Sequence, residues 1–378
     1  MLFILIVFAL LGLSTYYISR RIHRGINIFF PKVNFAWVIL FVCFLAVFLI
    51  LSFVRSALPL SKDAKNIVGI VGGYCMGIYL YLFLYTVIID LISLIFRASK
   101  LAITRHRFFN GITAGLVLFC TFATCLYGTI NAHHIDTVSY KISLEDKADI
   151  SDLNVVLISD LHLGAVHSES RLDNIVDKIN TLKPDVVCIA GDFFDTDFAS
   201  VQNPESAIQT LKKIRSTFGT YACFGNHDGG RTYKQMEDFL KKSDINLLKD
   251  EYAVIDNRLV LVGRMDSHPI GGYGKEQRKK LSQFFTPMDS SMPVIVMDHN
   301  PANINEYGKE VDVILCGHTH RGQLFPGSLI TDFIYDVDYG YYQKDKKSPQ
   351  VVVTSGIGYW GIPMRVGTNC EVVNITVK

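Results

Sequence analysis

Val155-Val156-Leu157-Ile158-Ser159-Asp160-Leu161-His162 is the stretch from which the fold of this chain can be read. Four aliphatic residues in a row suit a strand covered on both faces, and the polar Asp160 and His162 emerge at its carboxyl end. The arrangement recurs along the chain. Asp185-Val186-Val187-Cys188-Ile189-Ala190 runs into Gly191-Asp192, and Tyr221-Ala222-Cys223-Phe224 into Gly225-Asn226-His227-Asp228. Val294-Ile295-Val296-Met297 delivers Asp298-His299, and Val311-Asp312-Val313-Ile314-Leu315-Cys316 delivers Gly317-His318-Thr319-His320. Between these runs lie amphipathic stretches, so residues 151–378 read as an α/β domain whose polar groups gather on one rim, at the carboxyl ends of its strands.

Singly, each polar fragment is explained by a turn, a helix cap or an exposed loop. Jointly they place two aspartates, one asparagine and four histidines directly after buried strands, at Asp160, His162, Asp192, Asn226, His299, His318 and His320. Polar side chains set repeatedly at the edge of an apolar core need partners, and metal ions supply them. Imidazole nitrogen and carboxylate oxygen suit zinc, iron or manganese, and a shared carboxylate, here Asp192, holds two divalent ions ~3.5–4 Å apart. Such a pair acidifies a water to hydroxide and neutralises charge on a phosphoryl group. His227 suits the general acid that protonates the leaving oxygen, with Asp228 expected to orient its ring and raise its pKa.

This set resembles the calcineurin-like metallophosphoesterase superfamily, and within it the membrane-associated phosphoesterases of the YkuE and YaeI type, over roughly residues 152–378. The resemblance implies a two-sheet sandwich flanked by helices (αββα). It further implies that Asp160, His162, Asp192 and His320 hold one metal, that Asp192, Asn226, His299 and His318 hold the other, and that His227 meets the substrate phosphate. Gly322-Gln323-Leu324-Phe325-Pro326 and Ser355-Gly356-Ile357-Gly358 are similar to that subgroup, whereas Arg321 replaces a glycine usual after the last metal histidine. Arg321 there adds a phosphate contact or narrows the entrance. Asp195 and Asp298 are expected to be hydrogen-bond partners of ligating imidazoles. His167 reads as a solvated helix-start residue and His268 as an exposed loop histidine. The entrance is expected at residues 264–290 and 326–348, where Arg278, Tyr273 and Tyr335 read as solvated surface or as contacts for a phosphorylated amphiphile.

The N-terminal third has a different character. A mean hydropathy of +0.27 with 19% charged residues is too apolar for a soluble chain of this length unless the apolar residues are concentrated. Four uncharged runs, Leu2 to Ile18, Phe35 to Val54, Ile67 to Ile89 (with helix to about 95) and Gly111 to Ile130, each approach the ~20 residues that cross a bilayer. The expected organisation is a membrane region over 1–132, a linker over 133–150 and the catalytic domain over 151–378. No basic segment or small-residue cleavage pattern marks the first run as a signal peptide, so it reads as an anchor. Four crossings put both ends on one side. The first and third connections carry Arg20, Arg21, Arg24, Lys32, Arg97, Lys100, Arg105 and Arg107, against Arg55, Lys62 and Lys65 in the second, which places the catalytic domain outside the plasma membrane. Asp90 reads as a carboxylate reaching the interface beside Arg97 and not as a transport site. Gly69, Gly73 and Gly77 form a small-residue ridge suited to helix packing.

A net charge of +2 with no basic stripe interleaved with aromatics excludes nucleic acid as the expected partner, and the eight cysteines suggest no disulfide framework. The function expected is hydrolysis of a phosphate ester, on a lipid or a cell-envelope molecule, at a two-metal site. The alternatives are a UDP-diacylglucosamine-type pyrophosphatase and a non-catalytic membrane scaffold or sensor.

Overall fold

A computed structural model describes residues 2–99, 108–144, 153–164, 168–285 and 292–378; His167 lies outside them. Contacts divide the chain into a membrane unit, Met1–Ile130 with Gly361–Met364, and a catalytic unit, Asn131–Trp360 with Arg365–Lys378.

Among the described residues four helices are long and apolar enough to span a bilayer: α1 (Leu2–Phe29), α2 (Phe35–Val54), α3 (Lys62–Ala98) and α4 (Phe109–His133). Asn34 and Ser61 cap α2 and α3 by accepting from the backbone N–H groups of Ala36 and Ala64. α1 and α3 outrun the uncharged runs because their charged flanking turns continue the helix. Ile18, Val42, Leu45, Cys75 and Leu82 form the packed centre. Asp90 does not pair with Arg97; it accepts from Arg21 Nε at 2.7 Å and from the Tyr17 hydroxyl at 2.8 Å. Both partners lie on α1, so a neighbouring helix, and not the helix end, satisfies this carboxylate. The glycine ridge is shared as well. Gly72 admits the Phe48 carbonyl and Ser52 of α2, while Gly73 and Gly77 pack against Gly361 and Met364.

The described residues of the catalytic unit form two six-stranded sheets. The first is ordered β1 (Ile135–Ile142), β12 (Cys370–Val377), β2 (Leu153–Ile158), β3 (Val186–Ala190), β4 (Thr220–Cys223) and β5 (Ile245–Leu247). The second is ordered β10 (Gly340–Tyr342), β11 (Gln350–Val353), β9 (Val313–Cys316), β8 (Val294–Met297), β7 (Leu259–Gly263) and β6 (Glu251–Ile255). Within the stretch expected as a linker, Ile135–Ile142 is instead an edge strand, parallel to β12 from the pair Ile135/Cys370 to the pair Ile142/Val377, and residues 145–150 lie outside the described residues. Its Val138, Tyr140 and Ile142 alternate with polar residues, which is the period of a half-covered strand.

Alternation along the central strands builds three layers of core. Val155, Leu157, Val186 and Cys188 of the first sheet meet Leu261, Ile295, Met297, Val313 and Leu315 of the second between the sheets. Val156, Ile158, Val187 and Ile189 turn outward, onto α5 (Leu172–Thr181), α6 (Pro204–Leu211) and α7 (Tyr233–Lys242). Val296, Ile314 and Cys316 face the other side, under Phe285, Ile304 and Tyr307. Because both faces of β2 are covered, its fully buried aliphatic side chains each contribute roughly 1.5–3 kcal/mol, and a one-residue slip would misplace all of them. That rigidity fixes the loops at the strand ends. All eight cysteines are free.

Candidate metal centre

The carboxyl ends of β2, β3 and β4 in one sheet and of β8 and β9 in the other meet at one rim, so the site lies between two sheets and not along one. β2 leads to Asp160 and His162, β3 to Asp192, β4 to Asn226 and His227, β8 to His299, and β9 to His318 and His320. Five of these residues hold left-handed backbone: Asp160 (φ 60°), His162 (49°), Asp192 (51°), His318 (74°) and His320 (49°). Outside glycine such backbone costs on the order of 1–3 kcal/mol per residue and persists where surroundings over-determine it. Here the Asp160 N–H donates to the Gly191 carbonyl at 3.0 Å and the His162 N–H to that of Asp192 at 3.1 Å. Gly317 allows the approach, since a Cβ there would strike Ser159 Oγ and the Asp160 carboxylate.

The side chains form two adjoining groups. In one, His162 Nε2 lies 3.1 Å from His320 Nε2, and Asp160 Oδ1 lies 3.4 Å from His320 Nε2. In the other, His299 Nε2 lies 3.1 Å from Asp192 Oδ2 and 3.2 Å from His318 Nδ1, with Asn226 Oδ1 at 2.8 Å from that same His318 nitrogen. Asp192 joins them, its Oδ2 also 3.8 Å from His162 Nε2 while its Oδ1 accepts from the His227 N–H at 2.8 Å.

Electrostatics favours a cation in each group. Burial pushes the imidazole of His162 down to about 3 and that of His318 down to about 4, and burial reinforced by the Arg365 guanidinium pushes His320 down too. Near neutral pH all three are uncharged, the form in which imidazole ligates. His299 Nδ1 donates to the Ala190 carbonyl at 2.8 Å, which in the neutral ring leaves Nε2 as a lone pair facing a carboxylate oxygen. Burial pulls His299 down, but the Asp192 carboxylate outweighs it and the net direction is up; Asp192 in turn is held low by His299 against its burial. A bound cation would fill the same need as that proton. The buried His162 Nδ1 has no hydrogen-bond partner among the described residues. Ring nitrogens aimed at one another beside two carboxylates fit divalent metal ions.

Residues 153–322 match the family profile described as calcineurin-like phosphoesterase. They are a calcineurin-like phosphoesterase domain. A zebrafish transmembrane protein with metallophosphoesterase domain is 29% identical over 80% of this chain and 72% of its own length. An uncharacterized metallophosphoesterase of Campylobacter jejuni is 28% identical over 100% of this chain and 98% of its own. The metallophosphoesterase YkuE of Bacillus subtilis is 26% identical over 73% and 98%. The solved Pseudomonas putida nuclease MPE is 15% identical over 55% of this chain and 78% of its own, with a TM-score of 0.27.

Within the phosphoesterase domain several expected partners are rearranged. Asp228 does not orient His227. Its buried carboxylate accepts from the N–H groups of Phe194 and Gly225, both at 2.8 Å, and so ties the β3 loop to the β4 loop. Burial and the Asp192 charge push it up to about 7 against those donors. His227 Nδ1 instead hydrogen-bonds Thr196 Oγ1 at 2.8 Å, with Asp195 Oδ1 3.8 Å away. Asp298 serves no imidazole, because Arg278 and Tyr307 occupy its oxygens at 2.6 and 2.5 Å. Arg278 is accordingly not solvated surface, and neither is Tyr273, whose buried hydroxyl donates to the Gly225 carbonyl. His268 is exposed and bonds Ser267, outside the groups above. The Arg321 guanidinium lies 4.3 Å over the Tyr339 ring.

The sequence alone does not single out Arg365. Fully buried, it donates to the carbonyls of His320 at 2.9 Å and Ser355 at 2.8 Å and so fixes the His320 backbone from behind. No local motif announces it. Its one signal is an arginine in an otherwise apolar late stretch, Gly361-Ile362-Pro363-Met364-Arg365-Val366.

Proposed function

We propose that this chain is a membrane-anchored phosphoesterase that hydrolyses a phosphate ester of a lipid or cell-envelope molecule at an extracytoplasmic site holding two divalent metal ions. The observation that carries the reading is Asp192 standing between two groups of buried, largely neutral imidazoles. Asp160, His162, Asp192 and His320 would hold one ion, and Asp192, Asn226, His299 and His318 the other. When bound, two such ions supply acidified water and neutralise charge on the phosphoryl oxygens. The His227 N–H fixes Asp192, which the two ions would share, and the left-handed backbone of Asp160, His162, His318 and His320 fixes those side chains without reorganisation. His227 gives its proton to the leaving oxygen, with Thr196 and Asp195 orienting the ring from its Nδ1 side. The basic first and third connections support the outward orientation.

The test is hydrolysis of bis(p-nitrophenyl) phosphate and p-nitrophenyl phosphate by the full chain in detergent, with manganese, zinc or iron, beside Asp192→Asn. Hydrolysis by the wild type that Asp192→Asn abolishes supports the reading, and the ratio of the two rates ranks diester against monoester. A folded wild type with two bound ions that hydrolyses neither these esters nor a phospholipid overturns it.

A further inference from the structure

The catalytic unit exposes nine large apolar side chains among the described residues, and five of them, Phe325, Leu329, Ile330, Phe333 and Ile334, fall within ten residues. Four belong to α8 (Gly327–Ile334). At 100° per residue Leu329, Ile330, Phe333 and Ile334 share one face, and Phe333 is 90% exposed. The opposite face is polar and turned to the protein, where Thr331 Oγ1 donates to Asp338 Oδ2 at 2.8 Å. No residue of α8 is buried. A helix lying on a water-soluble surface puts its apolar stripe inward, so this one is laid inside out, and a contiguous exposed apolar face of that kind marks an interaction site.

Resting on the phosphoesterase reading above, we infer that α8 docks into the acyl-chain boundary of the bilayer and brings membrane-borne phosphate esters to the metal centre. Connectivity names the occupant. The spanning helix α4 ends at His133 and β1 begins at Ile135, so the catalytic unit starts within two residues of a transmembrane segment. Chemistry agrees: the exposed face is aliphatic and phenyl, with none of the tyrosine, tryptophan or arginine that anchor protein interfaces. α8 carries no lysine or arginine, so its insertion depends on apolar area and not on anionic lipid. Both of its ends reach the site. Gly327 packs on Gly322, two residues after His320, and the ring of Tyr335, whose backbone N–H caps the helix, lies 6.0 Å from that of His318. An ester whose chains lie beside α8 therefore has its phosphate near the ligand loop of β9.

The full chain in nanodiscs of phosphatidylcholine with brominated acyl chains provides the test, using Phe333→Trp and, as a control in an exposed turn, Lys346→Trp. The added Phe333→Trp emission is expected to fall by about half or more, equally with and without anionic lipid, as for a side chain ~5–10 Å into the boundary, while that of Lys346→Trp is unchanged. Equal, unquenched emission from both variants overturns the inference, as does crosslinking of Phe333→Cys between two copies, which assigns the face to a dimer. Quenching needs no turnover. A wild type inactive on every ester thus overturns the phosphoesterase reading, and lost quenching overturns the docking.

Discussion

Asp298 and His299 are adjacent in sequence, yet they enter two buried polar clusters of opposite design. Around Asp298 every acceptor has a donor: Arg278 at 2.6 Å, the Tyr307 hydroxyl at 2.5 Å and Asn303 Nδ2 at 3.1 Å. Burial alone would lower the Arg278 guanidinium, but the Asp298 charge outweighs it and holds the cation. Around His299 the pattern is open, with His162 facing His320 at 3.1 Å, His299 facing His318 at 3.2 Å, and the carboxylates of Asp160 and Asp192 alongside. The first cluster is complete as protein. The second leaves ring nitrogens facing one another, an arrangement that positive charge from outside the chain would complete. Burial of polar groups thus separates into structure and function by asking whether the partners are already present.

The sharpest way to break this contrast is to change one residue in each cluster. Asp192→Asn should reduce hydrolysis by about 1,000-fold or more, since it removes several kcal/mol of charge stabilisation at ~1.4 kcal/mol per tenfold. Its metal content, measured by mass spectrometry of the purified protein, should fall, while the metal-free protein loses less melting temperature than Arg278→Met, because His299 can release its proton once the Asp192 charge is gone. Arg278→Met should do the reverse. It strands Asp298 without a counter-charge, a loss of about 3–5 kcal/mol that lowers the melting temperature by on the order of 10 °C while leaving metal per folded molecule unchanged. Loss of metal in Arg278→Met, or a metal-free destabilisation in Asp192→Asn as large as that of Arg278→Met, would show that the two clusters are one.

Arg365 tests whether the open cluster is held from behind. Lysine keeps the charge but not the planar fork that reaches the carbonyls of both His320 and Ser355. Arg365→Lys is expected to weaken metal binding by about 10–100-fold, the usual effect of losing a support behind a ligand, with turnover restored at saturating metal. Unchanged metal affinity by competition titration would make Arg365 a packing residue only.

What could be read from the sequence follows the same division. Each ligand candidate stands directly after an apolar run, so local pattern alone finds Asp160, His162, Asp192, Asn226, His299, His318 and His320, and the structure brings all seven to one rim. The partners are another matter. Asp228 bonds the N–H of Phe194, thirty-four residues away, and Arg365 meets His320 across forty-five. Neither contact leaves a local trace, so adjacency to His227 misassigned Asp228 and nothing marked Arg365. Asp90 fails for a similar reason, its partner Arg21 lying on another helix. β1 was hidden because its alternation is interrupted by charge and looks like a polar connection. The division of the strands into two sheets depends on which runs pair, and that was expected from the family resemblance and not from the periodicity.

A third cluster sets the lower end of the scale, because water reaches it. Glu276 meets Lys234 Nζ at 2.8 Å and Lys249 Nζ at 2.7 Å, and Glu237 joins the same two lysines. Hydrogen bonds from Lys234 and then Lys249 hold the Glu276 carboxyl down to about 2. A carboxyl lowered in the folded state adds stability that is present above its ordinary range and lost as pH falls toward that value. Its side chain is 35% exposed, so solvent screens the pairing and the contribution stays below about 1 kcal/mol. Glu276→Gln should therefore lower the melting temperature of the full chain in detergent by only a few degrees above about pH 5, with the difference from wild type shrinking as the pH is lowered toward 2 and as salt is raised. A deficit as large as that of Arg278→Met, or one insensitive to salt, would mean that exposure does not separate these clusters and that solvent fails to replace the missing partner here.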